Sequence, residues 1–272
     1  MRDKPNHFCI PDTQCRKGVP LDHCRWIGEY IVDRRPDVIV HLGDHWDMPS
    51  LSQHDQAGSL KMEGARYEDD IEAGNQGFEL ICKPMEKLRG YKPRRVFLRG
   101  NHEQRVERAI NAQPKYAGTI GYHHMLTRGW EVHDFQKAVV IDGVAYSHFF
   151  PNPYTGKPWG GSVQNILGKI CQSFTQGHKQ GKLQDERFNQ ITGKQMRGLI
   201  AGSSYLHDED YKGPQGNHHW RGVLVKHAVT DGGYNLMEVD LEFLCGKYEG
   251  TTLRRFLQRN YRNAAQRFSL AA

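Results

Sequence analysis

The feature that most constrains this chain is a repeated pairing: short β-branched or apolar runs, each ending in a residue able to bind a metal ion. Five clusters follow in order: Asp12-Thr-Gln14, Gly43-Asp44, Gly100-Asn101-His102-Glu103, His148 and Gly177-His178-Lys-Gln180. Each lies at or just past the C-terminal end of a run that reads as a strand. In layered α/β proteins the loops at that edge converge, so residues far apart in sequence can line one crevice.

The segments between the clusters support such layering. Residues 6–10 read as a first strand. Residues 21–35 read as a helix, with Cys24, Ile27, Ile31 and Val32 near helical spacing and Pro36 stopping it. A buried strand over 37–43, a polar loop with Pro49, Gly58 and Gly64, a helix from about 67 to 89, a third strand over 94–99 and a helix over 103–110 follow. Asp142-Gly143 between apolar runs predicts a hairpin, and Asp231-Gly-Gly predicts a second one joining 220–230 to 234–241. Residues 151–168, rich in Pro, Gly and Asn, read as a surface excursion, after which 171–176 and 199–205 return to a sheet.

Spacing within the clusters has a chemical sense. Residues i and i+2 leaving a strand point to one side and can grip one ion together, as Asp12 with Gln14 and His178 with Gln180 would. Asp44, behind a glycine that permits close backbone approach, is the natural carboxylate to bridge two ions held about 3.5–4 Å apart.

This ordered set resembles the calcineurin-like metallophosphoesterase superfamily, whose pattern is D-x-H, G-D, G-N-H-(D/E), H and G-H-x-H. The resemblance spans residues 12–180, and GDHWD and RGNHE match best; PDTQ, HLGDHWDMPSLS and GPQGNHHWRG resemble the form encoded by tailed bacteriophages. The resemblance implies an α/β fold, a four-layer α/β/β/α sandwich of two mixed sheets flanked by helices. It also implies two divalent ions, the first held by Asp12, Gln14, Asp44 and Gln180, the second by Asp44, Asn101, His148 and His178. A hydroxide bridging the ions would attack phosphorus, and His102 would protonate or stabilise the leaving oxygen.

Gln14 and Gln180 depart from the pattern, standing where the superfamily has histidines. Both changes fall on the same ion, so the first site reads as remodelled toward oxygen ligands, suited to Mn²⁺ or Mg²⁺, with Mn²⁺, Fe²⁺ or Zn²⁺ at the histidine-bearing site. Manganese fits both. The resulting expectation is a hydrolase of phosphomonoesters or phosphodiesters, with nucleic acid or a nucleotide as a candidate substrate. A non-catalytic metal-binding or scaffold protein with a degenerate first site is the alternative.

Simpler roles compete at several positions. Asn101 suits the N-cap of the following helix, with Gln104 at the capping-box position. His148 suits a hydrogen-bonded core histidine. His45, Asp47 and Glu103 suit substrate contact or support behind the ligands. His123-His124 and His218-His219 fit no ligand slot, although His219 and Trp220 are candidates for the pocket border.

Composition limits the rest. The 272 residues allow one large domain, assigned to 1–250, and 38% hydrophobic with 25% charged residues is a globular balance. No run of about 20 apolar residues suggests membrane insertion, and the polar start MRDKPNHFCIPD predicts no secretory signal, so a cytoplasmic protein is expected. Six scattered cysteines predict reduced thiols rather than bridges or a zinc knuckle, with Cys15 a packed thiol. A net charge of +6 points to an anionic partner. Residues 251–272 hold five arginines and no acid, interleaved with Leu253, Phe256, Tyr261, Ala264 and Phe268. A basic helix docked by Phe256 and Phe268 is favoured there over a phosphate-contacting arm.

Overall fold

Along β1 (His7–Ile10) every residue is buried, and alternate side chains serve two different cores: Phe8 and Ile10 on one side, Cys9 on the other. The same split recurs in β2 (Val38–His41), with Ile39 against Val38 and Val40, and in β3 (Arg94–Leu98), with Phe97 against Val96 and Leu98. Strands that bury both faces have to lie between two layers. The computed structural model, which describes residues 4–53, 62–209, 212 and 214–261, supplies those layers.

The first sheet has six strands in the order β11-β10-β1-β2-β3-β4, where β4 is Glu131–His133, β10 Gly222–Thr230 and β11 Gly233–Asp240. Strands β1 to β4 run parallel, and β10 and β11 add an antiparallel hairpin. The second sheet has the order β5-β6-β7-β9-β8, from β5 (Val139–Ile141), β6 (Val144–Ser147), β7 (Ser173–Gln176), β8 (Lys182–Phe188) and β9 (Gln195–Ala201). Here β6, β7 and β9 are parallel and the two edge strands antiparallel.

Three apolar cores separate the layers. Outside the first sheet, α1 (Asp22–Arg34), α2 (Tyr67–Glu86), α5 (Leu241–Glu249) and α6 (Leu253–Asn260) contribute Trp26, Phe78, Leu244 and Phe256. Val40, Leu98, Tyr146 and Leu199 pack between the sheets. Outside the second sheet, α4 (Val163–Ile170) packs Ile166 and Leu167 onto Phe174 and Ile200. The protein is thus an α/β sandwich of two mixed sheets flanked by helices. Among the described residues no helix is long and apolar enough to cross a membrane.

Four sequence expectations need correction. The excursion assigned to 151–168 contains the start of α4, which Ser162 caps by accepting from the Asn165 amide at 3.2 Å. The flanking Pro and Gly residues masked its apolar spacing. Strand β8 was not expected, because as an edge strand it is exposed along most of its length and has no apolar alternation. Strand β4 has three residues, too short to leave a pattern. The helix expected from 103 is α3 (Arg105–Ala112), with Gln104 at its N-cap and no side-chain capping bond, so Asn101 does not cap it.

The segment assigned to a basic tail or docked helix begins as α6, whose Leu253, Phe256 and Leu257 are buried while Arg254, Arg255 and Arg259 are exposed. Phe268, expected to dock alongside Phe256, and Gly58 of the polar loop lie outside the described residues. Phe256 meets Trp26 edge-on, ring centroids 5.3 Å apart. Truncating that ring in Phe256→Ala is expected to lower unfolding stability by about 3–5 kcal/mol, read by urea denaturation, and removal of residues 251–272 by at least as much.

Candidate metal centre

The five clusters follow the strands as their order requires: Asp12 and Gln14 leave β1, Asp44 leaves β2, Asn101 and His102 leave β3, His148 leaves β6, and His178 and Gln180 leave β7. Parallel strands in each sheet therefore deliver all of them to one end. Two glycines let the loops close. A Cβ at Gly100 would run into the side chain and backbone of Asp44, and one at Gly177 would run into the Asp12 carboxylate. Gln14, Asp44 and His178 adopt left-handed backbone, with φ of 39°, 48° and 66°. Such conformations cost energy in non-glycine residues and persist where surrounding contacts enforce them.

Around Asp44 the donors converge. The side-chain donors of Asp44, His148 and His178 lie within 4.8 Å of one another. Asn101 Oδ1 is 2.9 Å from His148 Nε2 and 2.8 Å from His178 Nδ1. His148 donates from Nδ1 to the Leu42 carbonyl at 2.7 Å, which turns Nε2 toward Asp44 Oδ2 at 3.3 Å. A carbonyl partner on the far nitrogen is the usual device for aiming an imidazole at a metal ion. Side-chain capping, the simpler role for Asn101, is thereby replaced by contact with both histidines.

The oxygen-rich half is less closed. Asp12 Oδ1 accepts the His178 amide at 3.2 Å, whereas Asp12 Oδ2 and Gln14 Oε1 are buried without a hydrogen-bond partner among the described residues. Two orphaned acceptors in a buried site are costly unless a cation satisfies them, so these residues fit the ion that the resemblance implies. Gln180 Oε1, by contrast, accepts the Tyr205 hydroxyl at 2.6 Å. His219 Nε2 lies 3.4 Å from that same hydroxyl, at the border of this half.

Beside the centre stands His102. Its Nδ1 donates to Asp47 Oδ1 at 2.7 Å and to the Asp47 carbonyl at 2.9 Å, leaving Nε2 3.8 Å from Asp44 Oδ2. Arg16 Nη1 donates to Asp47 Oδ2 at 3.0 Å and approaches Glu209 Oε2 at 3.5 Å. Arg105 Nη1 donates to the Asp47 carbonyl at 2.8 Å. Asp47, His207 and Glu209 form a second group with donors inside 4.8 Å.

Two residues considered for substrate contact face elsewhere. Glu103 is fully buried and accepts four backbone amides, from Gly100 (2.7 Å), Asp44 (3.0 Å), His45 (2.7 Å) and Trp46 (3.0 Å). His45 donates from Nε2 to the Gly74 carbonyl at 2.8 Å, and its Nδ1 accepts the Thr13 hydroxyl at 2.6 Å. Both ring nitrogens are spent inside the protein, so the ring supports Thr13 and does not reach a substrate. Arg105 was within reach of sequence reasoning, since it lies three residues after His102 at the start of a helix. Arg16, His207 and Glu209 belong to no motif and are brought in by the loops.

Charge placement follows from burial and neighbours. Burial alone would raise Asp44, but His102 and His148 outweigh it and hold its carboxyl far below the usual range. Burial would lower His148; the Asp44 carboxylate outweighs it and raises the imidazole from 6.5 to about 9. Asp12 is pushed up to about 7, by burial first and the Asp44 charge next. His178 falls to about 4 through burial and the His148 charge. Asp44 thus makes the centre a place that favours positive charge, whether from a proton on His148 or from a cation.

A pH signature follows. His148 binds its proton more tightly folded than unfolded, so its contribution to stability is complete below pH 6.5 and is lost as pH rises toward 9. Chelator-treated protein should melt at progressively lower temperature across this window. The affinity for Mn²⁺ should rise across it by about tenfold per pH unit, as the ion displaces that proton. Scanning calorimetry with and without Mn²⁺ reads both, and His148→Gln should flatten both.

Comparison with known proteins adds no further constraint: no protein-family model matches the chain, and no curated protein matches it.

Proposed function

We propose that this protein hydrolyses phosphate esters at a two-metal centre formed by Asp12, Gln14, Asp44, Asn101, His148 and His178. The observation that carries this reading is the convergence of Asp44, Asn101, His148 and His178 beside an Asp47–His102 pair. Two divalent ions bound there would supply Lewis-acid charge for the phosphoryl oxygens and a nucleophile generated from water at neutral pH. Carboxylate, amide and imidazole donors together suit Mn²⁺ best, with Mg²⁺ suited to the oxygen-rich half and Fe²⁺ or Zn²⁺ to the histidine half.

The chain's own residues would do the rest. Asp44 accepts the His102 backbone amide on Oδ1 at 2.9 Å, which ties the loop after β3 to the loop after β2. Burial and Arg105, whose Nη2 lies 3.3 Å from Nε2, would lower the His102 imidazole, but Asp44 and Asp47 outweigh them and raise it, which makes the ring the candidate proton donor to the departing oxygen. Asp47 fixes the ring and Arg16 fixes Asp47. His102→Gln should lower kcat by roughly 10²–10⁴-fold for esters of poorly acidic alcohols, and far less for 4-nitrophenyl esters, whose leaving group needs no proton. Assays with Mn²⁺ on both ester types test this. Equal losses on both would refute the proton-donor role, and unchanged turnover in both His102→Gln and Asp44→Asn would refute the site.

A scaffold reading draws on Gln180, whose amide oxygen is engaged by Tyr205. It predicts stoichiometric Mn²⁺ binding with no turnover of monoester, diester or DNA. For a nucleic-acid substrate, the exposed Arg254, Arg255 and Arg259 of α6 are the candidate phosphate contacts. Replacing all three by glutamine should then reduce the salt dependence of DNA binding by about 2–3 in log–log slope. An unchanged slope removes α6 from the interface.

A further inference from the structure

Behind the candidate centre a second set of donors faces inward with no carboxylate among it. Cys15 lies one residue past Gln14, and His23 and Cys24 lie in the first turn of α1; all three are fully buried. Cys15 Sγ is 3.5 Å from Cys24 Sγ, Cys24 Sγ is 3.3 Å from His23 Nε2, and His23 Nε2 is 3.1 Å from the Thr13 carbonyl oxygen. That oxygen is 3.9 Å from Cys15 Sγ, which closes the ring of four. We propose that Cys15, Cys24, His23 and the Thr13 carbonyl form a structural site for one Zn²⁺-class ion, separate from the candidate phosphoesterase centre.

The distances favour an ion over a bridge. Zinc bonds of about 2.3 Å to sulfur and about 2.0–2.1 Å to nitrogen, at tetrahedral angles, place two sulfurs about 3.8 Å apart and sulfur about 3.5 Å from nitrogen. A disulfide would bring the sulfurs to about 2.05 Å. The chemistry agrees as well: two thiolates and one imidazole are donors for a borderline ion, and two thiolate charges neutralise a divalent cation in a fully buried site. Sulfur, sulfur and a carbonyl oxygen are all electron-pair donors, so their mutual approach is favourable only with a proton or a cation among them.

Such an ion would have a mechanical role. The Cys15 amide donates to the His45 carbonyl at 2.7 Å, and the Asp47 amide donates to the Cys15 carbonyl at 3.1 Å. A metal at Cys15 would therefore anchor both the Asp12–Gln14 turn and the 44–47 segment to the start of α1. Helix α2 approaches closely enough that a Cβ at Gly77 would strike Cys15 Sγ, so the thiol has little freedom to turn away.

The test uses the full chain, purified without chelator, with metal content measured by plasma emission and thiols counted after denaturation. One zinc equivalent is expected that persists in Asp44→Asn and is lost in Cys24→Ser, with all six thiols free. Reconstitution with Co²⁺ should give a thiolate-to-cobalt charge-transfer band in wild type and in Asp44→Asn, and none in Cys24→Ser. His23→Gln keeps both thiols and should weaken Zn²⁺ binding at least about tenfold, which serves if Cys24→Ser does not fold. A missing charge-transfer band in wild type, zinc content unaffected by Cys24→Ser, or four free thiols instead of six would each overturn the proposal.

Discussion

The Glu103 carboxylate is the contact on which the candidate centre depends. Its two oxygens accept amides from Gly100 and from the consecutive residues Asp44, His45 and Trp46, so one buried side chain closes the loop after β3 onto the loop after β2. Those loops carry Asn101, His102, Asp44 and Asp47. Four hydrogen bonds from backbone amides offset part of the cost of burying the carboxyl, which burial and the Asp44 charge still push above its usual range. Asp44 can thus hold left-handed backbone beside Gly100 because its own amide is already committed.

Around that clasp the polar groups form a directional series. The Gly43 amide donates to His41 Nδ1, His41 Nε2 donates to the Thr13 hydroxyl, and the hydroxyl passes its own proton toward His45, which donates to the Gly74 carbonyl. Two buried histidines outside every ligand motif are accounted for this way: they couple the loop after β1 to the loop after β2 and to α2. The histidines of the centre differ in kind. His148 is anchored on Nδ1 by the Leu42 carbonyl and turns Nε2 to Asn101 and Asp44, and His102 is anchored by an acid that is itself anchored by Arg16. Supporting and reacting imidazoles differ in what the second nitrogen faces: the Gly74 carbonyl for His45, the convergent donors of the centre for His148.

Much of the architecture is legible in the sequence. The Asp142-Gly143 and Asp231-Gly-Gly signals both proved to be hairpin turns, since a tight turn with positive φ needs those residues. Short apolar runs marked the strands at 7–10, 38–41 and 94–98, and the run at 38–41 was marked as buried. Illegible elements were those without an apolar signature or with a misleading one: β8 on an exposed edge, β4 with three residues, and α4 behind a run of Pro and Gly. Cys15 and Cys24 show the same limit in the site. Their spacing matches no metal-binding motif, and their sulfurs meet only because a loop and a helix start are packed under α2.

By itself the sequence determined which residue types stand at the ends of the strands, because short apolar runs and glycine-bearing turns are written locally. It also determined that positions 14 and 180 are glutamines, whose amide oxygens can serve as ligands. Tertiary structure alone decided which of these side chains face one another. Asn101 turned from a cap into a partner of two histidines, His45 turned away to Gly74, and Gln180 was claimed by Tyr205. The physical reason is that a hydrogen bond or a metal contact is settled within tenths of an ångström, and those distances depend on how two sheets and their loops close over each other.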